Sequence, residues 1–267
     1  MSSNEPAKPN HLEPSPLGTK EYWDNLYTTE ITNHTQDKSD VGTIWFSGSS
    51  AEDKILPFLD EKIVGEKILG AEVGANNCSF LDLGTGNGHF LLRLRGVSEE
   101  DEDDDEEDGR QTWRGRMLGV DYSEKSIEFA RRIVGDKKAE MESEVEFLWW
   151  DIMTQDPFAA GVLSGEQGNG WDVVHDKGTF DAISLSEEQD ENGRRVCEQY
   201  KEKVVPLVRE GGLLLLTSCN WTAEELKAWF EGGGLRTVGE IGYRSFSFGG
   251  KKGQTISSVC FMKQSSS

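Results

Sequence analysis

Cys78-Ser79-Phe80-Leu81-Asp82-Leu83-Gly84-Thr85-Gly86-Asn87-Gly88-His89 is the stretch on which the reading of this chain turns. Cys78 to Leu83 is short and mostly apolar, as a buried strand is, and it runs straight into three glycines at alternate positions. Without a Cβ, Gly84, Gly86 and Gly88 let the backbone turn sharply and come close to a ligand. His89 to Arg95 continues as a helix whose first turn leaves N–H groups unpaired. Strand, glycine turn and helix in that order make one unit of an open α/β sheet, which binds ligands at the carboxyl ends of its strands.

The same unit recurs on either side. Met117 to Val120 is a second strand ending at Asp121, with Ser123 as the cap of a helix over Glu124 to Val134. Val145 to Trp149 is a third strand, ending at Asp151, and Trp171 to Val174 a fourth, ending at Asp176. Leu213 to Thr217 is a fifth, ending near Asn220. Helices are predicted over 193–208 and 222–231, and Arg244 to Phe248 with Thr255 to Met262 reads as a closing hairpin around a glycine-lysine turn. Upstream, Tyr22, Trp23, Leu26 and Tyr27 give a short helix over 20–29, and Ile55, Leu56, Phe58 and Leu59 mark another over 52–69. The expected fold class is α/β: a single Rossmann-like seven-strand domain, mostly parallel, with a C-terminal antiparallel hairpin and helices on both faces. It should span 19–263, after a disordered tail over 1–18, around an acidic disordered insert at 98–110, and before a short tail at 264–267.

Composition narrows the partners. Of 267 residues 49 are acidic and 28 are Lys or Arg, for a net charge of −21. The ten consecutive acids Glu99 to Asp108 leave about −11 on the remainder, so the body is acidic as well. That balance argues against binding nucleic acid through phosphate neutralisation and fits a basic protein partner. Cys78, Cys197, Cys219 and Cys260 are too far apart for zinc or redox motifs and read as reduced thiols. The polar, proline-bearing start resembles no signal peptide, and no apolar run suits a membrane span. The expectation is a cytoplasmic, monomeric protein.

The ligand class follows from the acids. A dinucleotide site favours G-x-G-x-x-G, with a pyrophosphate on the helix N-terminus, whereas here alternate glycines follow Asp82, which would repel a pyrophosphate. An acid at that turn suits a ligand carrying an ammonium and a sulfonium, as S-adenosylmethionine does. Asp121 is placed to accept from ribose hydroxyls; it lies 33 residues beyond Gly88, about 20 once the acid-rich stretch is removed, as such folds require. Asp151 can accept from an adenine amino group, and Ile152 can pack on the ring. Each acid has a plain alternative as a loop or cap residue; their joint order carries the reading. The expected cofactor-binding set is Asp82, Gly84, Thr85, Gly86, Gly88, Asp121, Tyr122, Asp151 and Ile152.

From Tyr22 to Lys263 the chain resembles the lysine methyltransferases that act on translation elongation factor 1-alpha, the methyltransferase-like protein 10 type. The resemblance rests on Tyr22-Trp23-Asp24, Ile44-Trp45-Phe46, Leu81 to Gly88 and Gly119 to Ser123. More specific to the family are Asp176 to Leu185, Thr217 to Thr222 and Phe246 to Gly250. It implies a class I methyltransferase domain that transfers methyl groups from S-adenosylmethionine to a lysine Nε of that factor, in the cytoplasm and without a metal. The chain departs from the family pattern in its acidic insert and in a glycine-rich loop at 161–170, both between core elements.

Methyl transfer to an amine needs a neutral nitrogen held in line, so positioning and desolvation carry much of it. Asp176 is the expected catalytic residue, either orienting the incoming amine or organising the turn that follows it. Trp45 and Phe46 could wall the cofactor or the lysine stem, with Asn220, Trp221 and Phe248 facing them; core packing is the alternative for the last two. His89 reads as a first-turn helix residue and His175 is given no role. Two other functions compete: a small-molecule methyltransferase on the same fold, and a non-catalytic cofactor-binding scaffold.

Overall fold

The structure, a computed structural model, describes residues 9–97, 111–248 and 251–265, with side chains outside 245–254. The acidic run and the last two residues lie outside that set. One sheet of seven strands has the order β3-β2-β1-β4-β5-β9-β6. Its strands are β1 (Phe80–Leu83), β2 (Met117–Asp121), β3 (Glu146–Trp149), β4 (Trp171–Lys177), β5 (Val208–Ser218), β6 (Leu235–Ile241) and β9 (Ser257–Lys263). β7 (Ser245–Phe248) and β8 (Lys251–Gln254) form a separate antiparallel ribbon. The described chain gathers into two compact units, Trp23–Asp151 and Met1–Tyr22 with Ile152–Ser267.

In the Trp23–Asp151 unit β1, β2 and β3 pair in parallel, with Leu83 opposite Val120 and Asp121 opposite Trp149. Every residue of β1 and β2 is buried, as in a sheet covered on both faces. Helix α3 (His89–Leu94) follows the glycine turn. Helix α4 (Glu124–Asp136) starts where the Ser123 hydroxyl accepts the Ser126 N–H, and it buries Ile127, Ala130 and Ile133 at intervals of three. Helix α1 (Lys20–Gln36) runs longer than expected and places Tyr27 in a cluster with Leu92, Val97, Phe129 and Ile133. Helix α2 (Ala51–Leu59) contains Pro57, which has no N–H to give the helix, and the next turn, Asp60–Gly65, widens to π geometry.

In the other unit β4 and β5 pair in parallel through Asp176 and Leu216, and β9 lies antiparallel between β5 and β6. The Leu213 to Leu216 run is buried throughout, as a central strand requires. Helices α5 (Thr179–Ser184), α6 (Tyr200–Val204) and α7 (Ala223–Phe230) complete it. α7 opens on a capping box between Thr222 and Glu225 and buries Leu226, Trp229 and Phe230 on one stripe.

Four points of the expected fold need correction. Thr255 to Met262 does not pair with Arg244 to Phe248: β7 takes β8, and β9 takes β5 and β6. β6 was missed because Arg236, Gly239 and Glu240 dilute its pattern, as edge strands allow. The helix expected over 193–208 is confined to a 3₁₀ turn, α6 and a second 3₁₀ turn at Val205–Leu207, where Pro206 interrupts it. Residues 9–18 are not a tail. The Ser15 N–H bonds the Leu185 carbonyl, the Arg195 guanidinium donates to the Leu12 carbonyl, and His11 stacks on Trp229 at 6.3 Å.

Candidate functional site

The glycine turn has the conformation its composition implies. Gly84, Gly86 and Gly88 hold φ of 62°, 59° and 78°, the left-handed region that other residues avoid. A Cβ on Gly88 would lie 2.8 Å from the Phe147 ring, and one on Gly86 would lie 3.0 Å from the Tyr27 hydroxyl oxygen. Asp82 is buried at the end of β1 and accepts the Thr85 hydroxyl at 2.8 Å. Asp121 is buried at the end of β2, where it accepts the Gly86 N–H at 3.2 Å and the Ser123 N–H at 2.9 Å. Burial raises the Asp121 carboxyl to about 6, against the opposing pull of those N–H donors, with a small further rise from the Asp82 charge.

Beside Asp121 the rim is aromatic. The Trp149 indole N–H donates to the Tyr122 carbonyl at 3.0 Å, and its ring is 42% exposed, which is unusual for tryptophan. The Trp150 N–H donates to the Asp121 carbonyl, fixing the chain just before Asp151. Ile152, next along the chain, is buried. Trp45 meets Trp23 edge-on at 5.1 Å, and Phe46 follows with a left-handed φ of 66°.

The other unit supplies the ends of β4 and β5. Asp176 is fully buried; it accepts the Thr179 N–H at 2.8 Å, the Phe180 N–H at 3.1 Å and the Tyr200 hydroxyl at 2.7 Å. Burial raises it to about 7, opposed by those three donors. Asp181, also raised by burial, accepts the Ser218 hydroxyl and the Cys219 N–H, and the Ser218 oxygen in turn accepts the N–H groups of Asn220 and Trp221. The loop after β5 is thus held to α5. Asn220 is exposed, whereas Trp221 is buried, stacked on Phe180 at 6.0 Å and edge-on to Trp229 at 5.7 Å.

A family model described as a methyltransferase domain matches residues 75–250. The protein-lysine N-methyltransferase EFM4 of Saccharomyces cerevisiae is 37% identical over 254 residues, covering 95% of this chain and 97% of its own. This chain belongs to the same family of protein-lysine N-methyltransferases. The EEF1A lysine methyltransferase 2 of Homo sapiens is 30% identical over 250 residues, covering 94% of this chain and 88% of its own. Among solved structures, an S-adenosylmethionine-dependent methyltransferase from Clostridium acetobutylicum superposes with a TM-score of 0.55 at 11% identity, covering 89% of this chain and all of its own. Likeness at that identity shows the Rossmann-like methyltransferase fold and no more.

In the methyltransferase, Asp176 and Trp221 are both held within the fold. Asp176 accepts the Thr179 and Phe180 N–H groups and the Tyr200 hydroxyl with both of its oxygens, which ties it to the start of α5. Trp221 is a packing residue of the Phe180, Trp229 and Phe230 cluster. The Phe248 side chain lies outside the described residues.

Two residues outside the expected site set reach the cofactor turn and the helix cap that follows Asp121. Asp24 accepts the Ser123 hydroxyl at 2.6 Å, and Tyr27, one turn on, places its hydroxyl against Gly86. Their signal in the sequence is a shared face at a spacing of three on a helix expected to pack, and for Asp24 its place in the Tyr22-Trp23-Asp24 string. Among the described residues no group of His, Cys, Asp and Glu is placed to hold a metal ion, and no helix is long and apolar enough to cross a membrane.

Proposed function

We propose that the chain transfers methyl groups from S-adenosylmethionine to a lysine Nε of translation elongation factor 1-alpha, in the cytoplasm. The observation that carries the reading is the set of acids at the ends of β1 and β2 around a left-handed glycine turn, on a chain 37% identical to a protein-lysine N-methyltransferase. The donor set fits the cofactor. Asp82, Asp121 and Asp151 are acceptors when ionised, matched to an ammonium, ribose hydroxyls and an adenine amino group, and hostile to phosphate. When bound, S-adenosylmethionine supplies an electrophilic methyl group.

The chain's own residues hold and exclude. Gly84, Thr85, Gly86 and Gly88 give a floor without side-chain obstruction, and Asp121, fixed by the Gly86 and Ser123 N–H groups, holds the ribose. Tyr122, next to Asp121 in the chain, flanks the adenine. Trp45 and Phe46 border the lysine, whose stem, taken out of water, favours the neutral amine the transfer requires. Asp176 and Asp181 position the turns after β4 and β5. The names of the relatives, EEF1A lysine methyltransferase 2 among them, support the choice of substrate.

Incubating the chain with labelled S-adenosylmethionine and a cell extract tests this. One labelled protein band at the size of the elongation factor is expected, and it should be lost with Asp82→Ala. Label confined to small molecules would support a small-molecule methyltransferase instead, and cofactor binding without transfer a scaffold.

A further inference from the structure

The glycine turn holds more than itself. Asn87, 6% exposed, donates through Nδ2 to the Val41 carbonyl at 2.9 Å and reaches the Thr43 carbonyl at 3.5 Å, while its Oδ1 accepts the His89 N–H at 3.1 Å. Two residues on, His89 Nδ1 lies 2.7 Å from Glu52 Oε2, and both side chains are buried. The loop 41–50 therefore enters at one contact with the turn and leaves at another. From the far side the Glu30 carboxylate accepts the Thr43 N–H at 2.9 Å, and His34 Nδ1 meets the Asp40 carbonyl at 2.8 Å.

Between those contacts the loop carries Trp45 and Phe46. Phe46 and Ser50 hold φ of 66° and 51°. Residues other than glycine stay in that region only where their surroundings over-determine them. A buried polar pair is also a poor way to gain stability alone, since apolar packing does as well. The contacts of Asn87 and His89, the two residues that flank Gly88, give the arrangement a use that stability does not.

The geometry points to Asn87 and the Glu52–His89 pair as positioning residues that tie the loop 41–50 to the glycine turn, so that the cofactor floor and the Trp45–Phe46 wall are set together. This rests on the assignment of the turn to S-adenosylmethionine. Occupancy of the turn then orders the wall that borders the lysine, and a loosened wall weakens the floor, because such coupling is reciprocal.

Hydrogen exchange on the ligand-free protein, calorimetric titration with S-adenosylhomocysteine, and kinetics on the protein substrate test it together. N87D keeps an acceptor for the His89 N–H but turns an acceptor toward the Val41 carbonyl; Glu52→Ala removes the partner of His89, and Glu52→Gln restores one. In N87D and Glu52→Ala, exchange of the 41–50 amides should rise and S-adenosylhomocysteine affinity fall, each by about tenfold, the effect of losing one buried hydrogen bond. The loss in kcat/KM should sit in KM more than in kcat, and Glu52→Gln should recover most of it. If Glu52→Ala does not fold, N87D carries the test. Wild-type exchange or wild-type affinity in N87D overturns the inference. A wild-type chain that binds no S-adenosylhomocysteine instead overturns the assignment of the turn, whatever the exchange shows.

Discussion

Asp121 and Asp176 are both buried carboxyls raised toward neutrality, one to about 6 and one to about 7, and they make opposite kinds of prediction. On the proposed function Asp121 accepts hydrogen bonds from the cofactor, so protonating it costs affinity: S-adenosylhomocysteine binding should weaken progressively as pH falls below about 6, in a calorimetric series. Asp176 serves the fold. Its folded value lies above its unfolded value of 3.8, so the native state binds the proton more tightly, and stability drops as pH rises from about 4 to about 7 and then levels. Asp176→Asn removes that titration. Its stability relative to wild type, from urea unfolding, should improve steadily across the same window and stay flat above it; a difference independent of pH would contradict the account. At this scale the sequence made the acids legible as strand-end carboxylates, because a polar stop after an apolar run is a local signal. It could not tell which groups of the fold each carboxylate would engage. Asp121 and Asp176 look alike in the chain and differ only in what surrounds them.

At the scale of elements, the capping box before α7 and the close approach of Gly18 to Leu185 are the sharpest tests. Removing the Thr222 hydroxyl in Thr222→Ala leaves an unpaired N–H at the helix start and should cost about 1 kcal/mol in urea unfolding. A Cβ on Gly18 would lie 2.3 Å from the Leu185 carbonyl carbon. Gly18→Ala should therefore release residues 9–18, read as faster proteolytic cleavage there, with the main unfolding transition nearly unmoved. β1 to β5 were legible because each is a compact apolar run closed by a polar residue. β6 was not, since an edge strand needs only one well-packed face and Leu235–Ile241 alternates weakly. The pairing of β9 with β5 and β6 departs from the expected hairpin for a related reason: the glycine-lysine stretch is a turn signal, but its residues from Lys251 on form β8, which pairs with β7. Residues 9–18 look like a tail in the sequence because they are polar and proline-rich; what fixes them is a backbone bond from Ser15 to Leu185 and the Arg195 side chain on the Leu12 carbonyl, which composition does not report.

At the scale of the molecule the net charge of −21, ten of it in one run at Glu99 to Asp108, should act over distance on a basic protein partner. Deleting 98–110 should raise KM for the protein substrate at low ionic strength, and the difference should disappear at high salt. Equal KM at low salt would remove any role for the run in attraction. The fold class and the cofactor turn were both open to a reading of the sequence, because α/β alternation and glycine spacing are local patterns. The substrate was not; only the resemblance of the strings after Asp176, and then relatives spanning nearly the whole chain, gave it a basis. The central claim is therefore tested on purified components. The chain, S-adenosylmethionine and recombinant elongation factor 1-alpha are combined, and the factor is mapped by peptide mass spectrometry. A methylated lysine that is absent without the chain and absent with Asp82→Ala is the predicted result; an unmodified factor, with a chain that demonstrably binds S-adenosylhomocysteine, would contradict it.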